Sequence, residues 1–321
     1  MFMKGPCVES TKNEDRKEEA MVTERPAEVL EAGNYWTTDS DSDLETEGTH
    51  GLGELIRDTL YLESCQAHSV VPVSCFLRQA SASELNLRHR GLGPQGAQAL
   101  VSTLTSNPYI KRLDLRDNGL FGTGAEALAD VLSKNSSISG ETLGPALAEN
   151  TGLTELNLSW NHLRGPGAVV LARSLEANIF LKILDISYNG FGDPGASAVG
   201  EALKANNVLE ELNMSNNRIS RVGALRLGLG LQVNQTLKIL IVSRNPIRSE
   251  GCFGLLKSVR NNTSSALELL DFSDIQVNRE FEELASSVKV ILPGLCIKTG
   301  AFKNKEWLPA FKPSPPASVP K

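Results

Sequence analysis

Gly91-Leu92-Gly93-Pro94-Gln95-Gly96 spells G-x-G-x-x-G, with Asp114 downstream. That is the pattern with which a strand–turn–helix holds a dinucleotide. Its glycines admit the pyrophosphate to the backbone, and an acid about 20 residues on takes the ribose hydroxyls. Pro94 argues against it, because proline deletes an N–H that a phosphate needs. The four histidines, His50, His68, His89 and His162, have no ligand-like spacing, so no metal site is expected. Five cysteines (Cys7, Cys65, Cys75, Cys252, Cys296) are scattered without a C-x-x-C pair, which suits a reduced compartment rather than a disulfide framework. Neither a G-x-S-x-G elbow nor an H-E-x-x-H helix occurs. The chain thus reads as non-enzymatic, with no catalytic residue and no cofactor.

The elements that would carry such residues explain the glycines better. Leu156-Asn157-Leu158-Ser159-Trp160-Asn161 returns 28 residues later as Leu184-Asp185-Ile186-Ser187-Tyr188-Asn189. The first leucine of this frame recurs at Leu85, Leu113, Leu156, Leu184, Leu212, Leu240 and Leu270. Each unit reads L-x-L-x-x-N-x-L, then a glycine slot (Gly96, Gly124, Gly167, Gly195, Gly223, Gly251), then apolar residues at helical spacing. Self-similarity at a fixed period of this length marks a solenoid. Alternating leucines give a short strand with one buried face, and the later set gives an amphipathic helix. Such a β-α unit cannot cover its own apolar face, so stacking must do it, with a parallel sheet inside the curve and helices outside. Gly96 then belongs to the frame, not to a nucleotide site. The repeated Asn118, Asn161, Asn189, Asn217 and Asn245 read as structural. A side-chain amide carries donors and an acceptor that can pair with backbone groups where the chain leaves the strand.

The L-x-L-x-x-N frame and the 28-residue period resemble the leucine-rich repeats of the ribonuclease-inhibitor class, over about residues 84–278. The resemblance implies an α/β leucine-rich repeat solenoid, a horseshoe with a parallel concave sheet and convex helices. A rigid curved sheet presents many independent side chains over a large area, which suits a non-enzymatic protein-protein interaction scaffold. The same repeat class resembles that of the Ran activator, so a GTPase-activating protein is the alternative, with Arg90 or Arg116 placing charge at a γ-phosphate.

The informative positions are those where the units differ. The slot before the asparagine reads His89, Asp117, Trp160, Tyr188, Asn216, Arg244, Asp274, and the one before it Arg88, Arg116, then five serines. Read as strand residues pointing away from the core, they form rows on the concave face, where Trp160 and Tyr188 stand on strands about 4.8 Å apart. Adjacent exposed aromatics are natural interface anchors. Trp160, Tyr188, Arg88, Arg116, Asp117, Asn216 and Arg244 are therefore the candidate partner-binding residues. Mutual packing of the two rings, and salt-bridged solvation of the arginines, are the blander readings.

One spacing breaks the period: Leu113 to Leu156 is 43 residues. Glu141 stands where the next strand leucine falls due, yet Leu143, Leu147, Asn150 and Leu153 match Leu171, Leu175, Asn178 and Leu181 of the following helix half. Residues 136–152 are thus irregular. At Ser139-Gly140 a strand and turn are missing, a stretch of about 13 residues, or that stretch plus whole repeats. A splice variant or deletion is expected there, against a tolerated irregular insertion.

Outside the repeats, residues 1–50 form an acidic, poorly hydrophobic tail expected to be disordered. Ser40 and Ser42 in it resemble acidic-directed kinase sites. Residues 51–83 are expected to cap the N-terminal end, with Leu52, Leu55, Ile56 and Leu60 on one helix face. Residues 279–298 are expected to cap the C-terminal end, starting from Asn278 as N-cap and stopping at Pro293. Residues 299–321 read as a flexible Pro/Lys tail. No signal segment or run of about 18 apolar residues is present. The net charge of −6 argues against nucleic acid. A cytoplasmic monomer that is not secreted, with the nucleus left open, is expected. It binds a protein partner and neither nucleic acid nor membrane. The Asn-x-Ser/Thr sequons at Asn135, Asn157, Asn213, Asn234 and Asn262 carry no weight in such a protein.

Overall fold

Each frame leucine is the central residue of a three-residue strand, and the strands pair leucine to leucine. The computed structural model describes residues 47–78, 83–106, 110–134 and 152–300, all within one compact unit that begins at Glu45. Strands β1 (Glu84–Asn86), β2 (Arg112–Asp114), β3 (Glu155–Asn157), β4 (Ile183–Asp185), β5 (Glu211–Asn213), β6 (Ile239–Ile241), β7 (Leu269–Asp271) and β8 (Cys296–Lys298) form one parallel sheet in sequence order. The register runs Leu85, Leu113, Leu156, Leu184, Leu212, Leu240, Leu270, Ile297. Between strands lie α3 (Gly93–Ser106), α4 (Phe121–Lys134), α5 (Gly165–Ser174), α6 (Gly192–Ala205), α7 (Arg221–Leu231) and α8 (Arg248–Asn261), each packed on the next. The frame leucines and the apolar helix positions, such as Leu100, Leu128, Leu171, Val199, Leu227 and Leu255, make one continuous buried core.

The ladder asparagines pair with the turn of the unit before. Asn189 Nδ2 donates to Leu158 O (2.8 Å) and to its own Ile186 O (2.9 Å), while its Oδ1 accepts from Asn161 N (2.8 Å) and Leu163 N (3.2 Å). Asn118, Asn161, Asn217 and Asn245 repeat the backward reach to Leu87, Leu115, Ile186 and Met214. A second asparagine ladder runs along the helix ends. Asn206, Asn234 and Asn262 donate to Leu175 O, Leu203 O and Leu231 O, 31 residues back, and Asn178 donates to Leu132 O, 46 residues back. Both ladders satisfy buried backbone carbonyls that no helix or strand partner reaches.

At the start, α1 (Glu47–Ala67) packs on α3, and the short α2 (Ser74–Arg78) follows it. The face of α1 differs from the expected one. Leu55 and Leu60 are exposed, while Tyr61 and Cys65, one helical turn apart, enter the core and Tyr61 meets Phe76 at 4.3 Å. Apolar leucines here yield to a larger ring that reaches α2. Helix α1 already begins at Glu47, inside the expected tail; the rest of that tail lies outside the described residues. At the other end, Asn278 Oδ1 caps α9 (Arg279–Ile291) by accepting from Phe281 N at 3.1 Å. Phe281 then packs edge-on against Phe272. The segment expected to hold only a cap adds β8 as an eighth rung, with Ile297 in register beside Leu270. Ser139-Gly140, and the helix-half match at Leu143, Leu147 and Asn150, lie outside the described residues.

Candidate interaction surface

The strands end at residues such as Asp185, so the row that the sequence put on strands stands on the turns just beyond them. In the units that carry it, the ladder asparagine braces this turn. Its amide donates to carbonyls two and three residues back (Ser187 O at 3.1 Å and Ile186 O), while His89 and Asp274 make the same turn before Arg90 and Ile275. Every row member has positive φ: His89 54°, Asp117 51°, Trp160 62°, Tyr188 57°, Asn216 52°, Arg244 56° and Asp274 59°. Asp and Asn tolerate that conformation, and three of the seven units use them. A bulky side chain there is an outlier, at a cost of about 1–2 kcal/mol.

Trp160 and Tyr188 occupy two such positions side by side. Their rings stack 4.2 Å apart at 10°, an arrangement that contributes about 0.5–1.5 kcal/mol beyond area burial. Trp160 remains 49% exposed. Tyr188 is half-buried, and its hydroxyl accepts from Arg244 Nη1 at 2.7 Å. Arg244 Nε in turn donates to Asp274 at 2.8 Å. Asn216 lies between them in the row, exposed. At the other end His89 Nδ1 meets Asp117 Oδ2 at 2.8 Å.

The arginines near β1 and β2 are matched by carboxylates. Arg88 Nε lies 3.2 Å from Asp114, and Arg112 pairs with Glu84 and Glu155. Arg116 Nε donates to Ser159 Oγ at 3.1 Å, across β2 and β3. Arg90 is exposed.

Phe121 escaped the sequence reading. It is 52% exposed, has φ 53°, and stacks on His162 at 5.6 Å and 20°. The signal was available: three places after the asparagine, other units carry Gly93, Arg164, Gly192, Ser220 and Arg248. The two aromatic pairs flank the Asn161 turn in sequence.

Beneath the row lies a floor of buried polar residues, Asp114, Asn157, Asp185, Asn213 and Asp271. Each accepts the backbone N–H two residues on, as Asp185 Oδ1 does from Ser187 N at 2.9 Å. Burial pushes the Asp185 carboxyl up to about 6, against the opposing pull of Ser187, Arg116 and Asn213. Burial also raises Asp114, opposed by the Arg116 N–H and by Arg88.

Three N–H groups of the G-x-G-x-x-G loop, and that of Arg90 before it, are engaged within the repeat. Arg90 N and Leu92 N donate to Asn118 Oδ1, Gly93 N to Asn118 O, and Gly96 N to Leu92 O. Among the described residues no group of three or more His, Cys, Asp and Glu could hold a metal, and no helix is long and apolar enough to cross a membrane. The described sequon residues Asn157, Asn213, Asn234 and Asn262 are buried.

Five segments match the leucine-rich repeat profile: 106–129, 149–172, 177–200, 205–228 and 233–256. The chain is 63% identical to human leucine-rich repeat-containing protein 74B over 392 aligned positions, which take in 99% of this chain and 100% of the relative. The mouse protein of the same name is 70% identical over 110 residues, 34% of this chain and 28% of that one. Among solved structures the chain is similar to actin-binding site 2 of leiomodin-1 (22% identity, 49% of this chain and 89% of that one, TM-score 0.37). It is also similar to the C-terminal domain of a Caenorhabditis elegans tropomodulin (13% identity, 53% and 92%, TM-score 0.39). Repeats, register and near full-length identity agree: the chain belongs to the leucine-rich repeat proteins, in the family of leucine-rich repeat-containing protein 74B.

Proposed function

We propose that the open face of the sheet recognises a protein through the turn row centred on Trp160 and Tyr188. One observation carries the reading. The frame forces a left-handed backbone at this slot, three units meet it with Asp or Asn, and two adjacent units instead hold large rings in it. Backbone strain of this kind persists where the side chain does something the fold does not need. Stacked rings half open to water offer flat apolar area that is already ordered, which lowers the entropic cost of association. Arg88, Arg116 and Asp117 on one side, and Asn216 and Arg244 on the other, would supply the polar rim around that centre.

The test is affinity capture with the wild type and with Trp160→Asn/Tyr188→Asn, alongside thermal melts. Asn is chosen because it suits the left-handed slot, as Asn216 does. Partner recovery should fall at least tenfold with the melting temperature little changed. Undiminished recovery by a folded variant would rule the row out as the binding site.

A further inference from the structure

We infer that this chain comes from a message lacking the codons for one strand and turn and two whole repeats between Ser139 and Gly140. The period alone allows a loss of about 13 residues plus any number of whole repeats. The aligned human relative selects among these values. Its alignment runs over 392 positions and takes in 99% of this 321-residue chain, about 318 residues, leaving about 74 (392 − 318) without a counterpart. Two repeats beyond the strand and turn give about 69, whereas one or three would give about 41 or 97.

The junction of β2 with β3 carries the physical trace. These strands pair in the same register as every other neighbour, although 43 residues separate them. Their side chains fit less well. Asp114 opposite Asn157 is the same residue pair, in the same register, as Asp185 opposite Asn213. Asn213 is among the groups that favour the Asp185 carboxylate, but the Asn157 Nδ2 is buried without a partner, and so is Glu155 Oε2 on the same strand. Buried polar atoms are normally paired; beside these two on β3, the described residues leave Thr103 Oγ1, Thr236 Oγ1 and Ser243 Oγ without a partner.

The helix layer agrees. A Cβ built at Gly124, Gly223 or Gly251 would lie 3.6, 3.0 or 3.3 Å from the nearest Cα of the preceding unit (Pro94, Asp193 and Arg221). At Gly167 the corresponding distance, to Gly122, is 2.6 Å. Gly122 thus lets α4 approach α5 closely, as Gly200 lets α6 approach α7, where a Cβ at Gly230 would lie 2.3 Å from Gly200 O. Asn206, Asn234 and Asn262 reach the equivalent carbonyl of the unit before, and Asn178 reaches that same position in its neighbour, Leu132 O, so the helix ladder closes in frame across the irregular spacing.

The loss shortens the sheet by three strands, about 14 Å at the usual spacing. It also removes three row positions between Asp117 and Trp160. The Arg116–Ser159 hydrogen bond exists only in the shortened form, so the surface beside the aromatic pair differs between the two products of one gene.

Amplification across the codons for Lys134 to Thr154, from genomic DNA and from cDNA, decides the matter. Expected is a genomic interval between the Ser139 and Gly140 codons encoding three further L-x-L-x-x-N frames, with a second cDNA product longer by about 207 nucleotides. A genomic reading frame that runs uninterrupted through Ser139-Gly140, or an interval encoding no such frame, overturns the inference.

Discussion

At the residue scale, leucines and asparagines carry the architecture and the row residues carry the individuality. Asn189 meets five buried backbone groups through one amide. Asn189→Ala should destabilise by roughly 3–5 kcal/mol, because several of those groups lose their partner at once; urea denaturation reads it directly. Asp185 works against the fold near neutrality. Its carboxyl binds a proton more tightly folded than unfolded, so its stability is fully present below the unfolded value of 3.8 and is lost as pH rises through about 6. Asp185→Asn keeps the acceptor for Ser187 N and should raise stability at pH 7 by at most about 3 kcal/mol. The gain should disappear toward pH 4, and a variant no more stable at pH 7 than at pH 4, relative to wild type, would contradict this. Trp160 and Tyr188 were legible as neighbours because the period puts them one rung apart. Their left-handed backbone was not, since it belongs to the turn that every unit makes after its strand, with or without the asparagine, rather than to the identity of the residue that bears it.

At the element scale, one β-α unit has no core of its own, and its small residues let the helices approach. A Cβ at Gly200 would meet Arg226 O at 2.5 Å and Leu227 Cα at 2.9 Å. Gly200→Ala should therefore force α6 from α7 and cost about 1–3 kcal/mol, measured as a lower urea midpoint. The C-terminal end carries a further proposal, that α9 closes the core. Phe281, 1% exposed against Phe272, should cost about 3–5 kcal/mol on change to Ala. A small effect in equilibrium unfolding would show that the last unit adds nothing to the stack. Strands and helices over 84–278 were readable because leucine spacing specifies them twice, once at period two and once at helical period. The eighth strand was hidden because Cys296-Ile297-Lys298 holds too few leucines to display the frame. The α1 face was misread because leucines suggest burial wherever they align, whereas Tyr61 and Cys65 make the contact.

At the scale of the whole molecule, a solenoid holds together by neighbour contacts, so a defect at one interface weakens the join without unmaking either side. Hydrogen exchange should show lower protection at β2 and α4 than at β4 to β6, reflecting the orphaned polar atoms on β3. Equal protection across all units would argue that the junction is as well formed as the rest. Recognition belongs to this scale too, since the row spans units that share no local sequence. Partners should dock on the turn row and not on the helices. The decisive comparison sets a photo-crosslinking amino acid at Trp160 against one at the exposed Val222 on α7. A discrete adduct is expected through position 160 and none through 222; adducts through 222 alone, or equally through both, would contradict docking on the row.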